Sequence, residues 1–342
     1  MPVRDQRARP RHVDRLPDLG RGRARLLLRV RVPSLDAAPG RGRRGGGTVT
    51  VVAGVGPDGR GLHAVHLAGR IAASTGEDLL LCCVVADSWS RGSVMSGPDA
   101  DWRRHLEAMA SDVVGEARGV PPPEVAVDAV ITTARSVPRE LVAQAERAEA
   151  TMLVVGSARD ALMGHVALGN ISTWLLHRAS LPVVLAPRSF WSEPTDRLER
   201  LVLAVDSDEA VDAALDASTL LARHAGVGVA LATFGVRRLP ALPDGGGRRA
   251  DNAVYEAWRE NIDAMHARAA SLVEASGVTV TDRIVAVADS WRGAVEKVHW
   301  LEGDLLVMTS SREGPVRRIF LGSNAPRIMS QVPVPVLTLP RR

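Results

Sequence analysis

From residue 48 onward, short unbroken apolar runs alternate with longer stretches in which apolar positions recur every three or four residues. Unbroken runs suit strands buried on both faces, and the 3.6-residue recurrence suits amphipathic helices. The pattern predicts strands near 48–55, 78–86, 124–132, 151–156 and 182–186, with helices near 60–75, 101–118, 136–149 and 170–179. The same order then returns. Strands are expected near 200–205, 227–233, 278–287, 304–309 and 334–339, and helices near 208–224, 251–275, 289–301 and 323–331. In the helix 208–224, Val211, Ala214, Leu215, Leu221 and Ala222 form one stripe, with the small Ser218 in its gap. Ser136 opens a helix with Pro138 in its first turn, where a missing N–H is harmless. Strands and helices alternating at this spacing imply right-handed crossovers and a doubly wound parallel sheet.

The repetition extends to residue identity. Thr151-Met-Leu-Val-Val-Gly-Ser-Ala-Arg-Asp aligns with Asp304-Leu-Leu-Val-Met-Thr-Ser-Ser-Arg-Glu, and Leu168-Gly169-Asn170 with Leu321-Gly322-Ser323, both at a spacing of 153. Thr50-Val-Val-Ala-Gly-Val-Gly56 aligns with Arg200-Leu-Val-Leu-Ala-Val-Asp206 at a spacing of 150. The expected architecture is therefore α/β: two tandem doubly wound domains, each a five-stranded, mostly parallel sheet with helices on both faces. The domains are placed at 48–187 and 200–342, with a proline-containing linker at 188–199 and a long loop at 236–250.

Charge is unevenly placed. Residues 1–47 hold thirteen Arg against four Asp, a net of +9, whereas the whole chain carries +4, so the remainder is net −5. A basic nucleic-acid groove on the folded part is not expected. The basic segment reads either as a disordered arm or as translated upstream sequence, with the true start near Val49. No apolar run is long enough to span a membrane. Cys82 and Cys83, the only cysteines, are neighbours in a strand and point to opposite faces, so they suit a core better than a metal site. Lacking a cysteine framework or an export signal, the chain reads as cytoplasmic.

In such a sheet, ligands enter at the carboxyl ends of the strands where strand order reverses. Each copy offers a turn after strand 1 and a loop after strand 4. On these residues and on the repeat, nearly all of 48–342 resembles tandem universal stress protein domains. The resemblance implies a protein that binds and signals rather than an enzyme, with an adenine nucleotide such as ATP as ligand. In nucleotide-binding members an acid ends strand 1. A glycine, two residues, a second glycine, nine residues and then Gly-Ser or Gly-Thr follow strand 4. Backbone N–H groups freed by glycine and a helix start suit phosphate chemically. The first copy keeps Gly156, Gly169 and Asn170, but has Arg159 at the second glycine and Gly56 at the acid, with Asp58 two positions late. The second keeps Asp206, Gly322 and Ser323, but has Thr309 and Arg312 in place of the two glycines. Arg312 could replace backbone donors with a guanidinium. The better-retained site is therefore expected in the second copy, around Asp206, Arg312, Gly322 and Ser323. Asn170 and Ser323 also suit plain helix N-caps, and Asp206 could cap the helix after it.

Two other readings compete: a nucleotide-free interaction scaffold, and an NAD-dependent enzyme. Gly54-Val-Gly56-Pro-Asp-Gly59 fits a dinucleotide fingerprint, with Asp87 after the next strand, but the turn at Asp206 has no glycine. No nucleophile elbow, P-loop or metal-ligand spacing stands out, and His63, His66, His165 and His177 read as helix or loop histidines. Pro333 and Pro335 withhold N–H groups from one side of the last strand, which marks it as an edge. The resemblance implies that the two final strands pair within the chain about a pseudo-twofold axis, leaving further self-association open.

Overall fold

The computed structural model describes residues 50–87, 97–158, 161–237, 245–309 and 324–340. The first half contains β1 (Thr50–Val55), α1 (Leu62–Thr75), β2 (Asp78–Ala86), α2 (Gly97–Ala117), β3 (Val127–Ala134), α3 (Val137–Arg147), β4 (Met152–Gly156), α4 (Asn170–Arg178) and β5 (Val183–Ala186). The second repeats the order with β6 (Arg200–Ala204), α5 (Asp208–Ala225), β7 (Gly228–Val236), α6 (Gly245–Ala275), β8 (Val280–Ala288), α7 (Trp291–Glu296), β9 (Asp304–Thr309), α8 (Ala325–Met329) and β10 (Val336–Leu339).

All ten strands form one sheet in the order β3-β2-β1-β4-β5-β10-β9-β6-β7-β8. Read inward from either edge, the order is the same, so a pseudo-twofold passes between β5 and β10. These two strands make the only antiparallel pairing among the described strands, in register at Val336↔Leu185, Leu337↔Val184 and Thr338↔Val183. The last strand is thus the edge of its own half but lies at the centre of the whole, bonded to β9 on its other side. Pro335 precedes it and uses its carbonyl, which accepts from Leu306 N–H at 3.0 Å. Pro182 does the same for Leu153 at 2.9 Å. Neither proline withholds a donor from a ladder, because both stand ahead of the strands.

Side-chain alternation sorts the core into two layers. Val51, Ala53, Met152 and Val154 pack with α1 and its counterparts, whereas Val52, Leu153 and Val155 pack with α3 and α4. In the second half Leu201 and Leu203 join the first layer and Val202 the second. Helices therefore cover both faces. Cys82 and Cys83 divide between the layers and are fully buried; burial pushes the Cys83 thiol up to about 12 and the Cys82 thiol higher. Both thiols are inert at neutral pH.

Local chemistry explains most element ends. α1 and α5 both stop at a glycine in the left-handed region, Gly76 (φ 73°) and Gly226 (φ 68°), whose N–H returns to the last turn. α1 starts at Leu62 rather than at 60, because Gly59 (φ 77°) and Gly61 (φ 97°) hold the preceding turn left-handed. α7 is shorter than the 289–301 that periodicity predicts. Its last turn tightens, with Lys297 N–H donating to Ala294 O at 3.2 Å and Val298 N–H to Val295 O at 3.1 Å, and the Trp300 indole N–H also donates to Val295 O at 3.0 Å. α6 begins at Gly245, six residues earlier than expected, and so takes residues from the predicted loop at 236–250. Of that loop, residues 238–244 lie outside those described, as does the basic segment 1–47.

Candidate functional site

Strand order reverses between β1 and β4 in the first half and between β6 and β9 in the second. In the first half, Gly56 N–H donates to Arg60 O at 2.6 Å and Gly59 N–H to Gly56 O at 3.1 Å, which makes a tight glycine turn into α1. Gly61 is locked there twice. Its φ is 97°, and a Cβ on it would lie 2.8 Å from Gly54 O. We expect Gly61→Ala to lower stability by about 2 kcal/mol in denaturant titration. Gly59→Ala, with open space around it, should cost about 1 kcal/mol.

This geometry opposes the dinucleotide reading. A Cβ on Gly56 would meet the Asp58 carboxylate at 2.8 Å, and one on Gly54 would touch Leu141 and Val155 at 3.3 Å. The fingerprint glycines are occupied in packing and in an acid-bearing turn, where a pyrophosphate would face a carboxylate. Burial raises the Asp58 pKa, but hydrogen bonds and charge from Arg60 outweigh it and hold the carboxyl below its ordinary value. Asp87 faces Arg103 at 3.5 Å.

Gly156 ends β4 as predicted, yet the space beside it is filled. A Cβ on Gly156 would fall within 2.8 Å of His63 Cε1 and closer still to Nε2. The following loop folds back on the segment after β5. Ser157 Oγ donates to Ala186 O at 2.8 Å, Gly164 N–H to Arg188 O at 2.9 Å, and Arg188 Nη1 to Ala161 O at 2.8 Å. Gly169, not Asn170, is the N-cap of α4. Ser172 Oγ accepts from Gly169 N–H at 2.8 Å, while Asn170 is the first helical residue and exposed. Glycine serves here because a Cβ would already touch Ala158 at 3.2 Å. Arg159 lies outside the described residues.

In the second half, Asp206 is exposed on the turn that follows β6. It does not cap α5. Ser207 does, with its Oγ accepting from Ala210 N–H at 3.2 Å. The turn is fixed from beneath. Val205 N–H donates to Ala232 O at 2.9 Å, and Thr233 Oγ1 donates to Val205 O at 2.6 Å. Since that hydroxyl spends its proton on a carbonyl, the buried His266 must donate Nε2–H to Thr233 Oγ1, 2.9 Å away. Burial holds the His266 pKa below its ordinary value. Arg312, Gly322 and Ser323 lie outside the described residues. α8 starts at Ala325 with Asn324 as its N-cap, and no side chain completes the cap.

One feature here was not expected from the sequence. A cavity of about 540 Å³ opens at the carboxyl tips of the second half, lined by Val236, Ser290, Trp291 and Arg327. Val236 ends β7, the neighbour of β6, so the cavity lies one strand over from the Asp206 turn. The nearby Arg237 guanidinium is engaged, bonding Asp251 at 3.0 Å and lying 4.3 Å over Tyr255. The Arg327 guanidinium makes no ion pair or hydrogen bond among the described residues. Two differences between the halves are the signal that could have found this place: Trp291 follows the N-cap Ser290 where Val137 follows the N-cap Ser136, and Arg327 stands for Trp174 at the spacing of 153. Among the described residues no group of His, Cys, Asp and Glu could hold a metal ion, and no helix is long and apolar enough to cross a membrane.

Comparison with known proteins agrees with this architecture. The sequence model of the universal stress protein family matches residues 48–187 and 198–340. Universal stress protein Rv2319c of Mycobacterium tuberculosis (strain ATCC 25618 / H37Rv) is 31% identical over 289 residues, covering 82% of this chain and 96% of that protein. Universal stress protein Mb2346c of Mycobacterium bovis gives the same figures. Among solved structures, a universal stress protein from Archaeoglobus fulgidus DSM 4304 superposes with a TM-score of 0.55 at 15% identity, over 85% of this chain and 96% of that one. A putative universal stress protein from Pseudomonas aeruginosa UCBPP-PA14 superposes at 0.52 and 14% identity, over 86% and 94%. Two successive matches to one family, on two halves that repeat one topology in a single sheet, establish that the chain belongs to the universal stress protein family, in its tandem form.

Proposed function

We propose that the protein binds one adenine nucleotide in its second half and acts as a ligand-responsive stress protein rather than as a catalyst. The observation that carries this reading is the cavity one strand over from the Asp206 turn, lined by Trp291 and Arg327. Its indole can stack on a base, and its unpaired guanidinium can hold a phosphate. Asp206, exposed at the tip of β6, offers a carboxylate to a base amino group. Arg312, Gly322 and Ser323 are proposed to complete the phosphate side, with Gly156, Gly169 and Asn170 as their weaker counterparts in the first half. The described part of the site offers hydrogen-bonding, charged and stacking groups, which suit the binding of a nucleotide.

Calorimetric titration with ATP, AMP and NAD tests the reading. One adenine-nucleotide site per chain, weakened at least tenfold by Asp206→Ala, is expected. No heat with any of the three would favour a nucleotide-free scaffold. NAD binding lost on substitution of Gly56 would favour the dinucleotide reading.

A further inference from the structure

The two switch points differ in one pair of positions. In the first half Gly156 ends β4 and His63 stands in the first turn of α1. Their counterparts in the second half are Thr309 and Ala213, at the same spacings of 153 and 150 that align the repeats. Bulk has moved from strand to helix: the first half pairs the smallest residue on the strand with an imidazole on the helix. β1 and β4 are the neighbours between which strand order reverses, and α1 leaves directly from β1. The His63 ring therefore stands in the crevice where a ligand would approach the Gly156 backbone. Ala213, by contrast, is exposed and carries only a methyl group, so no ring reaches Thr309 from this position.

Hydrogen bonding does not explain the position of the ring. His63 Nε2 is buried and has no hydrogen-bond partner among the described residues. Its neighbour His66, one turn on, does have one: its Nδ1 lies 3.2 Å from Ser192 O, to which it donates. A buried imidazole nitrogen without a partner is unfavourable, so shape rather than bonding holds His63 where it is. The glycine leaves a space of ring size, and the ring fills it.

We propose that His63 is an internal plug that closes the first-half cleft, so that a tandem chain with two related crevices offers one to ligand. This rests on the reading that adenine nucleotide enters at the switch points. The two ideas fail separately: the unmodified chain tests the nucleotide reading, and the change caused by His63→Ala tests the plug.

The experiment is titration of the full chain with ATP, before and after His63→Ala, with circular dichroism to confirm that the fold is kept. The plug predicts one additional site in His63→Ala. That site should be at least tenfold weaker than the second-half site, because Gly56 stands where an acid would be. Free imidazole should compete for the new site and leave the original one unchanged. Ala213→His combined with Thr309→Gly, which rebuilds the first-half pair, should close the second-half cleft and weaken ATP there at least tenfold, with Thr309→Gly alone as the control. An unchanged stoichiometry in His63→Ala, or two sites already present in the unmodified chain, would overturn the plug. So would a new site indifferent to imidazole, or an Ala213→His/Thr309→Gly chain that binds as before.

Discussion

Asp304→Ala should be the most destabilising single substitution considered, lowering unfolding free energy by about 3–5 kcal/mol. Asp304 opens β9 with its side chain fully buried, and Arg200 opens β6 beside it with its side chain 10% exposed. The pairing is bidentate: Arg200 Nε donates to Oδ1 at 2.9 Å and Nη2 to Oδ2 at 2.6 Å. Two further contacts hold the group. Arg200 Nη2 donates to His299 O at 2.9 Å, and Leu301 N–H donates to Asp304 Oδ2 at 2.8 Å. The hydrogen bond to Asp304 raises the Arg200 pKa further, so the guanidinium cannot escape by losing its proton. Truncating the acid leaves a buried cation without its bidentate partner, with only the weaker charges of Asp282 and Glu199 acting on it. A midpoint of thermal unfolding lower by roughly 10 °C is expected by calorimetry. The double variant Arg200→Met with Asp304→Leu should recover most of that loss, because removing both charges removes the desolvation penalty as well. A single variant with near-normal stability would refute this account. The pair stands at the amino ends of the strands, away from the candidate site, so ligand titrations should be unaffected.

Arg70→Ala should cost about 2–4 kcal/mol and loosen the junction between the halves. Arg70 is 3% exposed and directs its guanidinium to three places at once: Ser192 Oγ at 2.8 Å, Asp196 Oδ2 at 2.8 Å and Glu302 O at 2.9 Å. Its carbon lies 5.1 Å over the Phe190 ring. It thereby ties α1, the linker and the approach to β9 together. Asp196 is partly open to solvent, so most of the effect should come from the buried Ser192 hydroxyl and from the lost packing of Arg70 itself. Arg70→Lys should rescue little, since an ammonium cannot present a planar fork to three acceptors. Differential scanning calorimetry should show the single transition broadening or splitting in Arg70→Ala. One sharp transition at the original midpoint would argue against the clamp.

The two sites show how a repeat diverges where packing permits. The counterparts of Arg200 and Asp304 in the first half are Thr50 and Thr151. There Thr151 Oγ1 donates to Glu77 at 2.7 Å, and burial raises the Glu77 pKa. Both halves thus hold a satisfied polar group at the same strand ends, built from different residues. The counterpart of Arg70 is Leu220, which is 48% exposed. A single linker crosses the pseudo-twofold once, so only one of the two equivalent helix positions has anything to clamp.

Apolar runs, a 3.6-residue stripe and two internal spacings were enough to determine the tandem α/β fold, because strand and helix periodicity are local properties and a repeat can be read without knowing what touches what. The stripe from Val211 to Ala222 and the opposed faces of Cys82 and Cys83 follow from backbone geometry alone. What joins two halves, fills a crevice or ends a helix depends on groups far apart in the chain. The Trp300 bond at the end of α7 and the Arg70 clamp across 232 residues to Glu302 could be decided only by the tertiary structure. So could the imidazole of His63 beside Gly156, since neither residue by itself signals the other. Contact between distant side chains is a product of packing, and no local pattern encodes it.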